Sequence, residues 1–322
     1  MPIRLTELIG KISDKTEARV RRTRDQSRSI IQETLRADCR LVMRTAEEGR
    51  DNKSGAHVPV KVSPGYPAHL ANVDFPDDLD QIMLLARYRA YLEQAMAGAT
   101  GLLPLQEELL RRKDFEHLAL PASDSLQSTA DWAQELLSLL EQNDPLKRVL
   151  SVEEDFLGVY KYEIPTYFDD DKTANRASIE LYWGVIGLVA EWMNCTVEDL
   201  TIVVLAHELA HAYTQLGADI EGRRWQASAF SMAETGLKEG LAQYYTDRVL
   251  RRLEQRYSGA IKVYETMLPN QPEAYRTHLS WVTDFSPEAV RRAMLEVRRW
   301  QEGKLADFNS RLAEAQKELH PK

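Results

Sequence analysis

The sequence predicts an α+β fold that is mostly helical, with a small β-sheet in its second half. Two observations lead to this prediction. Apolar residues recur three and four positions apart through most of the chain, which is the period of an amphipathic helix. Two short segments, 156–164 (FLGVYKYEI) and 178–183 (SIELYW), instead combine β-branched and aromatic residues in the manner of strands.

The first 150 residues are predicted to form a helical N-terminal region, with a linker or extended stretch rich in Pro and Gly at 51–76. Acidic residues from Asp77 to Asp80 mark a helix start, because the helix dipole favours negative charge in the first turn. Gly98, Gly101 and Pro104 are expected to interrupt that helix. Helical spacing marks three stretches in this region: 1–50, 77–118 and about 125–142.

Residues 151–322 are predicted to form a second domain. Its two strands are joined through an acidic turn at 169–171, and an apolar helix follows over 184–193. Thr196 then begins a longer helix, with Asp199 in a capping-box-like position, and this helix ends at Gly217. Beyond it the chain is expected to stay helical, with a further helix start at Ser286 and Pro287.

Composition restricts the classes of protein to which the chain can belong. Hydrophobic residues make up 43% of the sequence, enough for a sizeable core, and the net charge of −9 argues against general nucleic-acid binding. Residues 1–50 are an exception, since 12 basic and 8 acidic residues give this arm a net charge of +4. We interpret the arm as the solvated face of a charged helix, with contact to nucleic acid as the alternative.

Cysteine content and hydropathy indicate a cytoplasmic protein. Cys39 and Cys195 are too few for a disulfide framework, and each is expected to be a small core residue. The N-terminus shows no secretory leader, and no apolar run is long enough to span a bilayer. We therefore expect no membrane partner, and the sequence does not indicate an oligomeric state.

The segment HELAH, residues 207–211, carries the chemistry of the chain. Histidines four positions apart lie on one face of a helix, so their imidazole nitrogens can reach one metal ion at about 2.0–2.1 Å. Glu208 lies beside them, near enough to a metal-bound water to take its proton. Because Zn²⁺ suits imidazole ligands, we predict a zinc ion on His207 and His211, with Glu208 as the general base.

The surroundings of HELAH favour this interpretation. Its helix is apolar almost all round, which predicts that the helix is buried. Buried histidines and a buried glutamate need partners, and a metal ion supplies them. The alternative is a structural helix in which His207 and His211 are satisfied core residues and Glu208 forms a salt bridge.

The segment EGLAQY, residues 239–244, supplies a candidate third ligand. Together with HELAH it resembles the gluzincin metallopeptidases, whose third zinc ligand is a glutamate on a following helix. Their motif often has glutamate, glycine, a bulky apolar residue, alanine, any residue and tyrosine. The resemblance covers the two motif helices and loosely the strand before them. It implies that Glu239 completes the zinc site and that residues 151–322 form a zincin-like metallopeptidase domain.

Several residues around Glu239 bear on that assignment. Gly236, Gly240 and Ala242 reduce the bulk that would hold its helix away from the HELAH helix. Asp219 and Glu221, in the loop after HELAH, are the alternative ligands, whereas Glu234 is explained by a capping box with Ser231. Gln243 or Asp247 would orient an imidazole.

Further residues are candidates for contact with substrate. Family members often stabilise the oxyanion with a Tyr or His after the glutamate, which implies Tyr275 or His278; packed residues of an ordinary helix are the alternative. Zincins commonly bind substrate along a sheet edge, and 178–183 is our candidate for that edge, an internal strand being the alternative. The acidic turn at 169–171 is expected to be solvated.

The sequence thus predicts a zinc-dependent peptidase that acts on a protein or peptide substrate. The alternative is a non-catalytic zincin-fold protein that binds or regulates a partner and uses zinc as a structural staple. The N-terminal region, 1–150, is assigned to substrate recognition, assembly or covering of the cleft.

Overall fold

The structure is a computed structural model. It is mostly helical with a small three-stranded sheet, which confirms the predicted class. Within the described part, no helix is both long and apolar enough to cross a membrane. The predicted helix start at 77–80 and the predicted acidic turn at 169–171 lie outside the described residues. The residues described are 3–43, 58–66, 74–75, 82, 85, 88–111, 123–143, 156–163 and 177–319.

The elements are numbered in chain order. The strands are β1 (Ile3–Arg4), β2 (Val60–Ser63), β3 (Asp74–Phe75), β4 (Gly158–Tyr162) and β5 (Ala177–Tyr182). The helices are α1 (Leu5–Gly10), α2 (Lys15–Cys39), α3 (Arg89–Arg111), α4 (Ser123–Gln142), α5 (Trp183–Trp192), α6 (Val197–Leu216), α7 (Ala227–Met232), α8 (Thr235–Arg252), α9 (Ser258–Met267), α10 (Glu273–Arg276), α11 (His278–Asp284), α12 (Pro287–Val297) and α13 (Leu305–Leu319).

The chain divides into two compact units. One consists of residues 1–4 and 74–148, and the other of residues 5–73 and 149–322. This grouping differs from the expected division at residue 150, because α1, α2 and β2 belong with the second half of the chain. In the first unit β1 pairs antiparallel with β3, and α3 packs against α4. Its core contains Ile82, Leu92, Leu137 and Leu140.

Helix α3 continues through the positions at which we expected it to break. Gly98, Gly101 and Pro104 all lie inside it. Leu92 and Ala99 are buried on this helix, which packs along α4. Burial of that face outweighs the poor helix propensity of glycine and proline, so the predicted interruption is wrong.

The second unit contains a three-stranded sheet in the order β2-β5-β4. Strand β5 runs parallel to β2 and antiparallel to β4, with Tyr160 opposite Ile179. Because β5 is the central strand, the prediction that 178–183 forms the sheet edge is wrong. The expected linker also contains a strand, since β2 pairs with β5 on one side and forms one edge of the sheet.

Arginines of the basic arm cover the outer edge of β2. The carbonyl of Pro59 points towards β5 and accepts from Ile179 N at 2.9 Å, so the alternate carbonyls point away from the sheet. Those carbonyls at Val62, Val60 and Val58 accept hydrogen bonds from Arg21, Arg24 and Arg28 of α2, at 3.2, 3.0 and 2.8 Å. Part of the positive charge of the arm therefore stabilises the fold. The other edge of the sheet is β4, which no described strand or arginine ladder covers.

Helix α6 is the centre of the second unit. It begins at Thr196, whose Oγ1 accepts from Asp199 N at 3.1 Å, as the sequence predicts. Helices α2, α8 and α9 and the sheet pack around it, and every residue from Leu200 to Leu216 is buried. The helix ends at Gly217, where φ is −60° and a Cβ would lie 2.7 Å from Leu41 Cβ. Close approach of the chain, and not a left-handed conformation, therefore requires glycine there.

Candidate metal centre and active site

Three side chains from two helices converge between α6 and α8. His207 and His211 lie one turn apart on α6, and Glu239 lies beside them on α8. His211 Nε2 is 3.1 Å from His207 Nε2 and 3.2 Å from Glu239 Oε2. His207 Nε2 is 3.3 Å from the same carboxylate oxygen. Among the described residues these three form the group whose ligand atoms lie within 4.8 Å of one another and could hold a metal ion.

The three donor atoms fit a tetrahedral metal site. Ligands that lie 2.0–2.1 Å from a zinc ion at tetrahedral angles are about 3.3–3.4 Å from one another. The observed separations of 3.1, 3.2 and 3.3 Å are close to that value. Two imidazole nitrogens and one carboxylate oxygen are also a donor set that zinc accepts. The residues therefore fit the predicted ion in spacing and in donor chemistry.

Electrostatics keep the Glu239 carboxyl ionised in spite of its burial. Burial raises the pKa of this carboxyl, but the imidazoles of His211 and His207 lower it by more. The pKa of Glu239 therefore lies well below its ordinary value. The carboxylate is in the form that can bind a cation.

The alternative acidic residues have other partners. Asp219 Oδ1 accepts from the backbone nitrogens of Glu221 and Arg223 at 2.9 and 2.8 Å, in an exposed turn. Glu221 forms ion pairs with Arg223 and Arg299. Asp219 and Glu221 are thus surface residues of the turn that follows α6.

The expected capping box of Ser231 and Glu234 is wrong. Ser231 lies in α7, and its hydroxyl donates to Ser228 O at 2.8 Å. Glu234 is itself the N-cap of α8, with no cap hydrogen bond from its side chain. Its Oε2 accepts instead from Leu305 N at 2.8 Å, so it anchors the start of α13.

Glu208 lines a pocket beside the histidine pair. Its side chain is 2% exposed and projects from the face of α6 that packs against β4. A Cβ at Gly158 of β4 would lie 3.2 Å from Glu208 Cγ and 2.8 Å from Val204 Cγ1. Glycine therefore lets the edge strand lie directly on α6 at the candidate general base. The other walls of the pocket are formed by Phe156, Leu157, Val203, His207, Gln243, Thr246, Tyr264, Met267, Gln271, Pro272 and Tyr275.

The two predicted oxyanion donors occupy different places. Tyr275 lines the pocket, and its ring stacks on that of His207 with centroids 5.8 Å apart and an interplanar angle of 23°. His278 is fully buried and does not line the pocket. They belong to separate short helices, α10 and α11, and of the two only Tyr275 lines the pocket.

The residues expected to orient an imidazole contact other groups. Gln243 Nε2 donates to Gln271 Oε1 at 3.2 Å, at the wall of the pocket. Asp247 is buried and accepts from Arg251 Nε at 3.0 and 2.9 Å. The Gln243 amide nitrogen and the Asp247 carboxylate therefore bind groups other than the two imidazoles.

Sequence reasoning missed Tyr160. Its ring lies parallel to that of His211, with centroids 6.3 Å apart and an interplanar angle of 7°. Tyr162 and Phe230 pack on it to complete an aromatic wall on that side of the site. The available signal was the alternation of Gly158, Tyr160 and Tyr162, which places all three on one face of β4.

Gly236 and Gly240 were expected to let α8 approach α6 closely, and this expectation is also wrong. A Cβ at Gly240 would lie 2.6 Å from Trp281 Cη2, and one at Gly236 would lie 3.3 Å from Leu305 Cδ2. The glycines make room for α11 and α13 beside α8. They thereby fix the position of the helix that carries Glu239.

Comparisons with protein-family models, with curated proteins and with solved structures find no match for this chain.

Proposed function

We propose that the protein is a zinc-dependent peptidase of the gluzincin type, which hydrolyses a protein or peptide substrate. The observation that carries the proposal is the convergence of His207, His211 and Glu239, with His207 and Glu208 lining an adjacent pocket. A purely structural metal site has a closed set of protein ligands, whereas a hydrolytic site has three and a position open to water. Three ligands next to a general base are what hydrolysis requires.

Each group at the site has a different role in the proposed reaction. A zinc ion held by His207, His211 and Glu239 would supply a Lewis acid for the scissile carbonyl and would lower the pKa of water. Glu208 takes a proton from the attacking water and passes it to the leaving amine. Tyr275, stacked on His207 at the pocket, donates to the oxyanion that develops on the carbonyl.

The sheet indicates how a peptide would lie. Strand β4 is an edge strand, and Leu157 and Gly158 at its start line the pocket beside Glu208. An extended peptide can pair with the free backbone groups of such an edge through main-chain hydrogen bonds. Binding of this kind gives little sequence selectivity, so we expect cleavage at several sites in unfolded proteins.

Glu208→Gln is the test of the mechanism. The amide keeps the shape of the side chain but cannot accept the proton, so we expect hydrolysis of casein peptides to fall by at least about 100-fold. Zinc content, measured by elemental analysis, should stay at the parent level. Hydrolysis at the parent rate by this variant would refute the mechanism. A zinc-loaded parent that cleaves nothing would favour the non-catalytic alternative.

Glu239→Ala and Asp219→Ala test the ligand set. Removing one of three protein ligands weakens zinc binding, so Glu239→Ala should lose most of its zinc on dialysis. Asp219→Ala is the matched control and should keep the parent zinc content, because the Asp219 carboxylate accepts hydrogen bonds in an exposed turn after α6. Zinc loss confined to Asp219→Ala would overturn the assignment of Glu239.

A further inference from the structure

We infer that His278 is a positioning residue that fixes Tyr275 against His207, by donating to the Tyr275 carbonyl while Tyr264 donates to its other ring nitrogen. The inference rests on the proposed function for its catalytic meaning. Its structural part stands on the contacts between α9, α10 and α11. It assigns His278 a place behind the pocket and not a contact with substrate.

The hydrogen bonds of His278 fix where its proton lies. His278 Nδ1 is 3.0 Å from the backbone carbonyl of Tyr275, and a carbonyl can only accept, so Nδ1–H is the donor. In the neutral imidazole Nε2 is then an acceptor, and it receives the hydroxyl proton of Tyr264 at 2.8 Å. The chain of bonds therefore runs from the Tyr264 hydroxyl through the His278 ring to the Tyr275 backbone.

Burial makes this chain of bonds rigid. His278 is 0% exposed, and Tyr264 and Tyr275 are 2% and 7% exposed. Hydrogen bonds in such an environment are not exchanged with water, and a partner left unpaired there destabilises the fold. The carbonyl of Tyr275 is thus held in one place by a donor that has no room to move.

The same segment is anchored to the helix that carries Glu239. Thr277, between Tyr275 and His278, donates its hydroxyl to Gly236 O of α8 at 2.9 Å. Trp281 of α11 packs over Gly240, where no side chain would fit. Thr277 therefore ties the segment of Tyr275 to the helix that carries Glu239, and His278 ties it to α9.

Two substitutions at His278 each keep a different one of its two hydrogen bonds. The amide nitrogen of asparagine occupies the position of Nδ1, so His278→Asn keeps the bond to the Tyr275 carbonyl. The amide of glutamine reaches the position of Nε2, so His278→Gln keeps the contact with Tyr264 and loses the bond to Tyr275. The two variants are matched in polarity and differ in which bond survives.

The first measurement does not depend on activity. The protein is labelled with 3-fluorotyrosine, and the Tyr275 resonance is assigned by its loss in Tyr275→Phe. We expect this ¹⁹F resonance to shift or broaden in His278→Gln and to keep the parent position in His278→Asn, with and without zinc. An unchanged Tyr275 resonance in His278→Gln would overturn the inference even if the proposed function holds.

The second measurement is a double-mutant cycle on peptide hydrolysis. His278→Gln should lower kcat/KM about tenfold in the parent, but less than about twofold in the Tyr275→Phe background, because it acts through Tyr275. His278→Asn should stay within about threefold of the parent. Equal losses in both backgrounds would show a general structural role and refute the inference. Absence of hydrolysis in the parent would count against the proposed function alone, since the ¹⁹F result still decides the inference.

Discussion

Among single residues, burial decides which polar side chains near α6 can react. Burial raises the pKa of the Cys39 thiol to about 12 and that of the half-buried Cys195 thiol to about 11. Both cysteines are free. Because the thiolate is the reactive form, neither is a nucleophile near neutral pH. Cys39 is the small core residue that the sequence predicted, whereas Cys195 is only partly buried.

His278 makes stability depend on pH. Burial lowers the pKa of its imidazole from 6.5 to about 4, although Asp247 and the Tyr275 carbonyl oppose the change. Between these two values the unfolded chain binds a proton that the folded protein does not. The stabilisation is therefore complete above pH 6.5 and is lost as pH falls towards 4, by about 3 kcal/mol in total.

We expect His278→Asn to remove this part of the acid sensitivity. Urea unfolding of zinc-free parent and variant at pH 7.5 and pH 4.5 gives the difference in free energy of unfolding at each pH. The parent should lose about 2–3 kcal/mol more than the variant between these conditions, since its other carboxylates and histidines cancel in the comparison. A difference that does not change with pH would show that His278 is not buried in the neutral form.

Among the elements, the position of β4 on α6 governs the candidate site. Gly158 brings the strand onto Glu208 and Val204, and Tyr160 then lies along His211. Arginines of α2 cover the outer edge of β2, whereas no described strand pairs with the outer edge of β4, the edge beside the candidate site. Close packing at Gly158 thus positions both the candidate general base, Glu208, and the edge strand beside it.

Gly158→Ala is expected to disturb the site and the fold together. The added Cβ would meet Val204 Cγ1 at 2.8 Å, so β4 or α6 must shift, at a cost of about 1–3 kcal/mol in the free energy of unfolding. Hydrolysis should fall by more than stability explains, because Glu208 is displaced. Gly10→Ala is the control: nothing lies within 4 Å of its Cβ, and its stability should be unchanged or higher by up to about 1 kcal/mol. Parent-like activity in Gly158→Ala would show that this contact does not position Glu208.

For the whole molecule, the N-terminal segment is part of the unit that carries the candidate site. Helix α2 packs along α6 and buries Val20, Ile31 and Leu35 completely. The segment before α2 packs closely on α5, because a Cβ at Gly187 of α5 would lie 2.7 Å from Ile12 Cγ2. The N-terminal segment therefore shares one core with helices α5 and α6.

A fragment of residues 149–322 is expected not to fold. Each fully buried aliphatic side chain of α2 contributes about 1.5–3 kcal/mol, and three of them approach the whole stability of a typical domain. Circular dichroism during urea unfolding should show a cooperative transition for the full chain and none for the fragment. A fragment that unfolds cooperatively near the parent midpoint would show that α2 is dispensable.

The sequence by itself determined what depends on short-range order. The pairing of His207 with His211, the start of α6 at Thr196, the start of α12 at Ser286 and the strands around Tyr160 and Ile179 all follow from local spacing and caps. Local periodicity reports which face of an element is buried, because that depends on neighbours within two turns. The sequence also favoured Glu239 as the third ligand, through the resemblance of EGLAQY to a family motif.

Only the tertiary structure decided which distant groups meet. It brought Glu239 to the histidines across 28 positions, made β5 central and β4 the edge, and put His278 behind the pocket. It also joined α2 to the second half of the chain and carried α3 through Pro104. Such pairings depend on which apolar faces fit one another at long range, and the burial gained there outweighs the local preferences that a sequence displays.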